Sequence, residues 1–197
     1  MIALRSLLKP LLCGALLIVA LPMASAQASP EVELQTNRGR IVVALDPERA
    51  PETVDNFLRY VRAGHYDGTI FHRVIYGFMI QGGGYTQDFR PKPTNRPIRN
   101  ESINGLRNQV GTLAMARTAD PHSATAQFFI NLVDNPDLDA PPGKWGYAVF
   151  GRVVQGMDVV NVIARVHTGR MPPHENVPVE PVIIEKARVV QTPRSGN

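Results

Sequence analysis

The sequence predicts a mainly β domain, a closed antiparallel barrel accompanied by two α-helices. Three observations carry this. Short apolar, β-branched runs recur along the chain between Gly, Pro and Asn residues. Only two stretches place apolar residues at helical spacing, and they lie far apart. Many short strands in one domain leave exposed edges unless the sheet closes on itself.

The elements follow in order. Glu31–Thr36 and Arg40–Leu45 alternate like strands, and Asn37-Arg38-Gly39 between them suits a tight hairpin turn. Pro51 opens a helix with Val54, Phe57, Leu58 and Val61 on one face, and Gly64 closes it. Strands are expected at Thr69–Ile75, Phe78–Gln81, Thr112–Met115, Phe128–Leu132 and Ala148–Val154. Met157 to Val166 reads as a second amphipathic helix, with Val159, Val160, Ile163 and Ala164 inward. A last strand is expected near Val182–Val190. Two long irregular stretches remain, about residues 84–109 and 133–145. Loops of that length usually carry function.

The N-terminus has the pattern of a secretory signal peptide spanning residues 1–26. Arg5 and Lys9 precede an apolar run from Leu11 to Leu21, and Ala24-Ser25-Ala26 is a small-residue cleavage site. The apolar run stops at Pro22, short of the roughly 20 residues that span a bilayer, so no stable membrane anchor is expected. Residues 27–197 then form one domain starting at Gln27. Removing Arg5 and Lys9 lowers the formal charge from +4 to +2, which argues little for nucleic acid. Arg90, Lys92, Arg96 and Arg99 read as a solvated loop, because no aromatic residues interleave with them. Cys13, the only cysteine, lies in the leader, so thiol chemistry and disulfides are excluded from the exported form.

The most informative stretch is Phe71-His72-Arg73-Val74-Ile75-Tyr76-Gly77-Phe78-Met79-Ile80-Gln81-Gly82-Gly83. It puts one guanidinium inside an apolar, β-prone run. A charge there is expensive unless it is paired. Arg73 therefore either hides a salt bridge or offers its donors to a ligand in an apolar site. Regular alternation would point His72 away from Arg73, as a structural hydrogen-bonding histidine. It would also put Gln127, Phe129 and Asn131 on one face and Phe128 and Ile130 on the other. Phe129 with its polar flank then reads as a site wall, and Phe128 and Ile130 as core. None of His65, His72, His122, His167 and His174 pair at ligand spacing, so no metal or other cofactor is expected. Ser123 and Thr125 lie near Asp120 and His122 but lack the surrounding turn of a hydrolase nucleophile.

The Arg73 stretch resembles the signature of the cyclophilin-type peptidyl-prolyl cis-trans isomerases. Gly111-Thr112-Leu113-Ala114-Met115-Ala116-Arg117 followed by Ser123–Asn131 fits the same family, as does Gly146-Tyr147-Ala148-Val149-Phe150-Gly151-Arg152. The likeness runs from about residue 31 to 190 and is similar to the bacterial periplasmic branch. It implies an eight-stranded barrel capped by a helix at each end.

The resemblance also implies roles. An Xaa–Pro bond rotates over a barrier of roughly 18–20 kcal/mol. A catalyst must stabilise the twisted amide, whose prolyl nitrogen gains a basic lone pair. A donor aimed at that nitrogen binds the twisted state better than the planar one. Arg73 falls on the family's catalytic arginine. Gln81 can accept from it and still donate to a peptide carbonyl. Phe78, Met79, Phe129 and Leu138 fall on the proline pocket, though on residue type alone all four read as core. Ala116, Arg117 and Gln127 fall on groove positions that bind the peptide backbone. Some positions depart from the family's cytosolic members. Arg117 stands where many have Asn, Tyr147 where they have a pocket His, and Asp137 where cyclosporin-sensitive members have Trp. Tyr147 keeps an aromatic wall and a hydroxyl at the site.

The expected activity is isomerisation of Xaa–Pro bonds in proline-containing peptides and in unfolded or extended exported proteins, assisting their folding in the periplasm. The alternative is a non-enzymatic chaperone or binding module that holds Pro-containing segments. Arg73 discriminates, because a pure binder needs no donor at the prolyl nitrogen. With no evident oligomerisation element, a monomer is expected.

Overall fold

The computed structural model describes residues 29–190. The expected leader and the mature start at Gln27 lie outside the described residues. The chain forms β1 (Glu31–Thr36), β2 (Gly39–Leu45), α1 (Pro51–Arg62), β3 (Thr69–Ile75), β4 (Met79–Thr86), β5 (Thr112–Met115) and β6 (Phe128–Asn131). It continues through β7 (Val149–Gln155), α2 (Met157–Ile163), β8 (Thr168–Met171), β9 (His174–Pro178) and β10 (Ile183–Val190). Eight strands close an antiparallel barrel in the order β1-β10-β3-β4-β6-β5-β7-β2, and β8 and β9 form a separate hairpin.

The β1–β2 turn is fixed by side chains. Thr36 Oγ1 donates to the Gly39 carbonyl at 2.7 Å and accepts from the Arg38 N–H at 3.1 Å. The Asn37 amide ties the turn to the start of β10 through Pro181 O and Ile183 N–H. Helix α1 begins at Pro51 without a side-chain cap on Ala50. Its open N–H groups are met from far along the chain. The Glu101 carboxylate accepts from Glu52 N–H at 3.1 Å, Thr53 N–H at 2.8 Å and the Thr53 hydroxyl at 2.6 Å. A carboxylate at a helix N-terminus also complements its dipole.

The barrel encloses the main core. Phe57 of α1 packs on Tyr66, Phe128 and Phe150 with ring centroids 5.1–5.5 Å apart. Val54, Leu58 and Val61 of α1, and Val160 and Ile163 of α2, join the same core. Both helices thus bury the faces their spacing predicts. Phe128 and Ile130 are core residues, while Phe129 lies in a second apolar cluster with Met79, Ala114 and Val149. The alternation expected for β6 is therefore observed.

Three details differ from the sequence reading. Strand β4 starts at Met79 and runs on to Thr86 through three glycines, leaving Phe78 in the preceding turn. Helix α2 ends at Ile163, and Arg165 and Val166 continue as tight turns whose N–H groups reach back three residues. The β8–β9 hairpin was not expected. Only Val177 and Pro178 of its residues are buried, so no apolar alternation marks it, and Pro172-Pro173 sits at its turn.

Candidate active site

The site begins with an irregularity in β3. Phe71 pairs with Gly82 and Arg73 pairs with Gln81, so His72 is an extra residue on β3. That is a β-bulge. In a regular strand Phe71 and Arg73 would share a face. Here Phe71 is core, Arg73 faces outward, and Val74 returns to the core. The bulge thereby moves the guanidinium from the barrel interior to its outer wall. Gly82 permits it, because a Cβ there would meet Phe71 Cδ1 at 2.9 Å and the Ile70 carbonyl at 3.0 Å.

His72 takes the consequence. It is 5 % exposed, and its ring stacks edge-on against Tyr85 at 4.8 Å. Its Nδ1 has no hydrogen-bond partner among the described residues. A backbone hydrogen bond to Ile70 keeps part of the expected hydrogen-bonding role, while the bulge turns the ring into an aromatic stack that leaves Nδ1 without a partner. Burial, helped by the nearby His174 and Arg73 charges, lowers its pKa to about 4.

Arg73 forms no ion pair among the described residues, although seven ion pairs occur elsewhere. Its nearest polar partner is Gln81 Oε1, which accepts from Nη1 at a long 3.5 Å. Gln81 Nε2 in turn donates to Gln127 Oε1 at 2.9 Å. The salt-bridge explanation of Arg73 is therefore absent from the structure. The guanidinium keeps most of its donors uncommitted.

Arg73 and Gln81 edge an outer pocket of about 250 Å³. Its other walls are Phe78, Met79, Ala116, Arg117, Phe129, Leu138 and Tyr147. Phe129 and Tyr147 meet edge-on at 5.7 Å. Every residue expected at the site lines this pocket except Gln127. That residue lines an adjoining polar cleft of about 190 Å³ with Thr118, Ser123 and Thr125. Gln81, Ala116 and Arg117 line both. Asp137 is exposed on a short 3-10 helix, Pro136–Leu138, which turns Leu138 to the pocket.

Two expected backbone-binding groups are partly occupied. The Ala116 N–H donates to Gln127 O at 3.0 Å, within the sheet edge. The Arg117 guanidinium lies 4.6 Å from the Tyr147 ring centroid. It donates to the carbonyls of Thr118, Trp145 and Gly146 at 2.9–3.2 Å. Arg117 thus holds the loop that carries Tyr147 and forms a cation–π contact with that wall.

The sequence did not reveal the asparagine network behind the pocket. Asn131 donates to Asn108 Oδ1 and Thr112 Oγ1, and Asn135 donates to Asn131 Oδ1 at 2.7 Å and to the Phe78 carbonyl at 3.0 Å. Asn108 binds Asp139 through its N–H at 2.7 Å. Asn100 and Ser102 bind the Gly146 backbone. These side chains pin the two long irregular stretches to each other and set the positions of Phe78, Leu138 and Tyr147. Buried amides of this kind are costly if left unpaired, so the network rigidifies the walls. The sequence signal for it was the run of Asn95, Asn100, Asn104 and Asn108 in the first stretch. A larger open cleft of about 490 Å³ holds the carboxylate that caps α1 and is lined by Arg49, Glu52, Arg99 and two asparagines beside Ile103 and Trp145.

Comparisons with known proteins fit this geometry. Residues 31–189 match the family model for cyclophilin type peptidyl-prolyl cis-trans isomerase/CLD. The chain is 61% identical over 162 residues to peptidyl-prolyl cis-trans isomerase cyp18 of Streptomyces antibioticus, covering 81% of this chain and 98% of that protein. It is 57% identical over 161 residues to peptidyl-prolyl cis-trans isomerase B of Escherichia coli, covering 80% and 98%. With peptidyl-prolyl cis-trans isomerase A of Dickeya dadantii it shares 51% identity over 170 residues, covering 86% and 90%. Among solved structures, a cyclophilin type isomerase of Cryptosporidium parvum superposes with a TM-score of 0.69 at 27% identity, covering 84% of this chain and 99% of that one. The apolar pocket edged by Arg73 thus sits in a chain that belongs to the cyclophilin-type peptidyl-prolyl cis-trans isomerases.

Proposed function

We propose that this isomerase acts on exported chains, and that Arg73 is its catalytic residue. The prolyl ring enters the pocket walled by Phe78, Met79, Phe129, Leu138 and Tyr147. Arg73 donates to the prolyl nitrogen as the amide twists, and Gln81 steadies the guanidinium through its carbonyl oxygen. No bond is broken, so stabilising the twisted amide is the whole of the chemistry. The observation that carries this is an arginine at the edge of an apolar pocket, with no carboxylate partner among the described residues. Such a donor does not titrate near neutrality, so activity should vary little between about pH 6 and 8. Isomerisation of a proline-containing peptide, followed with and without chelator across that range, tests it. A steep histidine-like profile or loss on chelation would contradict it.

The exported setting rests on the leader pattern at residues 1–26. Slow prolyl isomerisation limits folding of many chains, which gives the enzyme a use where exported proteins refold. N-terminal sequencing of protein from the envelope fraction should give Gln27 as the first residue. Recovery of the uncleaved chain in the membrane would refute it.

The Gln81–Gln127 pair offers a separate test. A Cβ on Gly84 would lie 2.5–2.6 Å from the Gln127 amide. Gly84→Ala should displace that side chain and break the 2.9 Å bond to Gln81. Losing one or two net hydrogen bonds at the site should lower kcat/KM about tenfold. Thermal stability should change little, since Gln127 is a movable side chain. Unchanged kcat/KM would show that the pair does not orient the site.

A further inference from the structure

A third cleft adjoins the apolar pocket. It has a volume of about 470 Å³ and shares Arg73 and Gln81 with that pocket. Its far wall is supplied by the β8–β9 hairpin, through Pro173, His174, Glu175 and Asn176. The hairpin is fixed to the barrel, not loosely appended. His174 packs on Tyr85 at 5.2 Å and on Phe89 at 5.3 Å, and Tyr85 packs on His72. Arg170 and Glu175 staple its two strands at 2.7 Å.

The lining is polar, and one buried nitrogen in it stands without a partner among the described residues. His72 is buried beside the cleft, and its Nδ1 has no partner. Gln127 accepts from Gln81 through Oε1, and its Nε2 has no acceptor among the described residues. Asn176 contributes a full amide from a left-handed backbone, at φ 57°. Glu175 is already paired with Arg170, which leaves Arg73, without an ion pair among the described residues, as a donor shared between the cleft and the apolar pocket.

An unfolded client extends on both sides of its proline, and each extended residue advances about 3.3–3.6 Å. The small polar cleft beside Gln127 can take chain on one flank of the pocket. We propose that the hairpin cleft takes the chain on the other flank, as an extended peptide held through its main-chain amides. This subsite makes the enzyme favour long unfolded segments over short peptides. The proposal rests on the reading that the apolar pocket holds the prolyl ring.

The test uses residues 27–197 and exchange NMR at a single Ala–Pro bond. A short acetylated peptide is compared with versions lengthened by Ala and Ser on its N-terminal or its C-terminal side. For the wild type, lengthening on one side should lower KM about tenfold, the yield of one or two net hydrogen bonds. His174→Ala should lose most of that gain while turning over the short peptide at the wild-type rate. Asn176→Gly is the second variant, because Gly keeps the left-handed backbone while removing the amide. No gain on lengthening at either side, or the full gain in both variants, would overturn the subsite. Failure of the wild type to turn over the short peptide would instead overturn the pocket reading, and the subsite with it.

Discussion

Arg73→Ala is expected to slow Xaa–Pro isomerisation by roughly 10²–10³, the usual effect of losing one preorganised donor to a transition state. The fold should survive. Arg73 lies on the outer wall of the barrel because a bulge at His72 turns it outward, and no carboxylate depends on it among the described residues. Its removal costs one long contact to Gln81 and relieves a half-buried charge of its desolvation. The melting temperature should therefore stay close to wild type or rise. Arg73→Lys should recover only part of the rate, because an ammonium lacks the planar fork that can serve Gln81 and substrate together. Isomerisation rates measured beside thermal unfolding check both halves. Unfolding of the alanine variant would show that Arg73 is structural, and a near-wild-type rate would show that it is not catalytic.

The second large effect concerns acid. Burial against Tyr85, with the His174 and Arg73 charges nearby, lowers the His72 pKa to about 4. The unfolded chain takes up that proton near the ordinary histidine value of about 6.5. Its folded pKa is the lower one, so the unfolded state binds more protons between the two values. The stability held by neutral His72 is present above about pH 6.5 and is lost as pH falls toward 4. Between pH 7.5 and 5 the loss should be about 2 kcal/mol, from one and a half pKa intervals at about 1.36 kcal/mol each. His65, lowered by burial, and Glu33, lowered mainly by its bond to Arg40, push in the same direction. His72→Phe removes only the first contribution. Urea unfolding at both pH values should show a slope shallower by about 2 kcal/mol in the variant. Equal slopes would mean that His72 takes up its proton as readily in the fold as in the unfolded chain.

Most of the architecture was legible because it rests on periodicity. The faces of α1 and α2, and the division of Phe128 and Ile130 from Phe129, follow from spacing alone. The pocket residues were legible through the family resemblance, all but Leu138 within its three blocks; residue type alone would have placed Phe78, Met79, Phe129 and Leu138 in the core. That confusion is physical, because the pocket wall is itself an apolar cluster on the outside of the barrel. Three features were not legible. The bulge at His72 breaks alternation without altering residue types, so strand parity misplaced that side chain. Glu101 caps α1 from nearly fifty residues away, a tertiary contact with no local signature. The asparagine network joins residues 100–108 to 131–135, and its pairings depend on how two irregular segments lie against each other.

The central claim is that Arg73 binds the twisted amide better than the planar one. The most direct test separates kcat from peptide affinity in Arg73→Ala, using exchange NMR on a proline-containing peptide under saturating and sub-saturating conditions. The account predicts that kcat carries nearly all of a loss of roughly 10²–10³ while the dissociation constant of the ground-state peptide barely moves. A weakened dissociation constant with kcat retained would contradict it, and would make Arg73 a binding residue for the planar substrate.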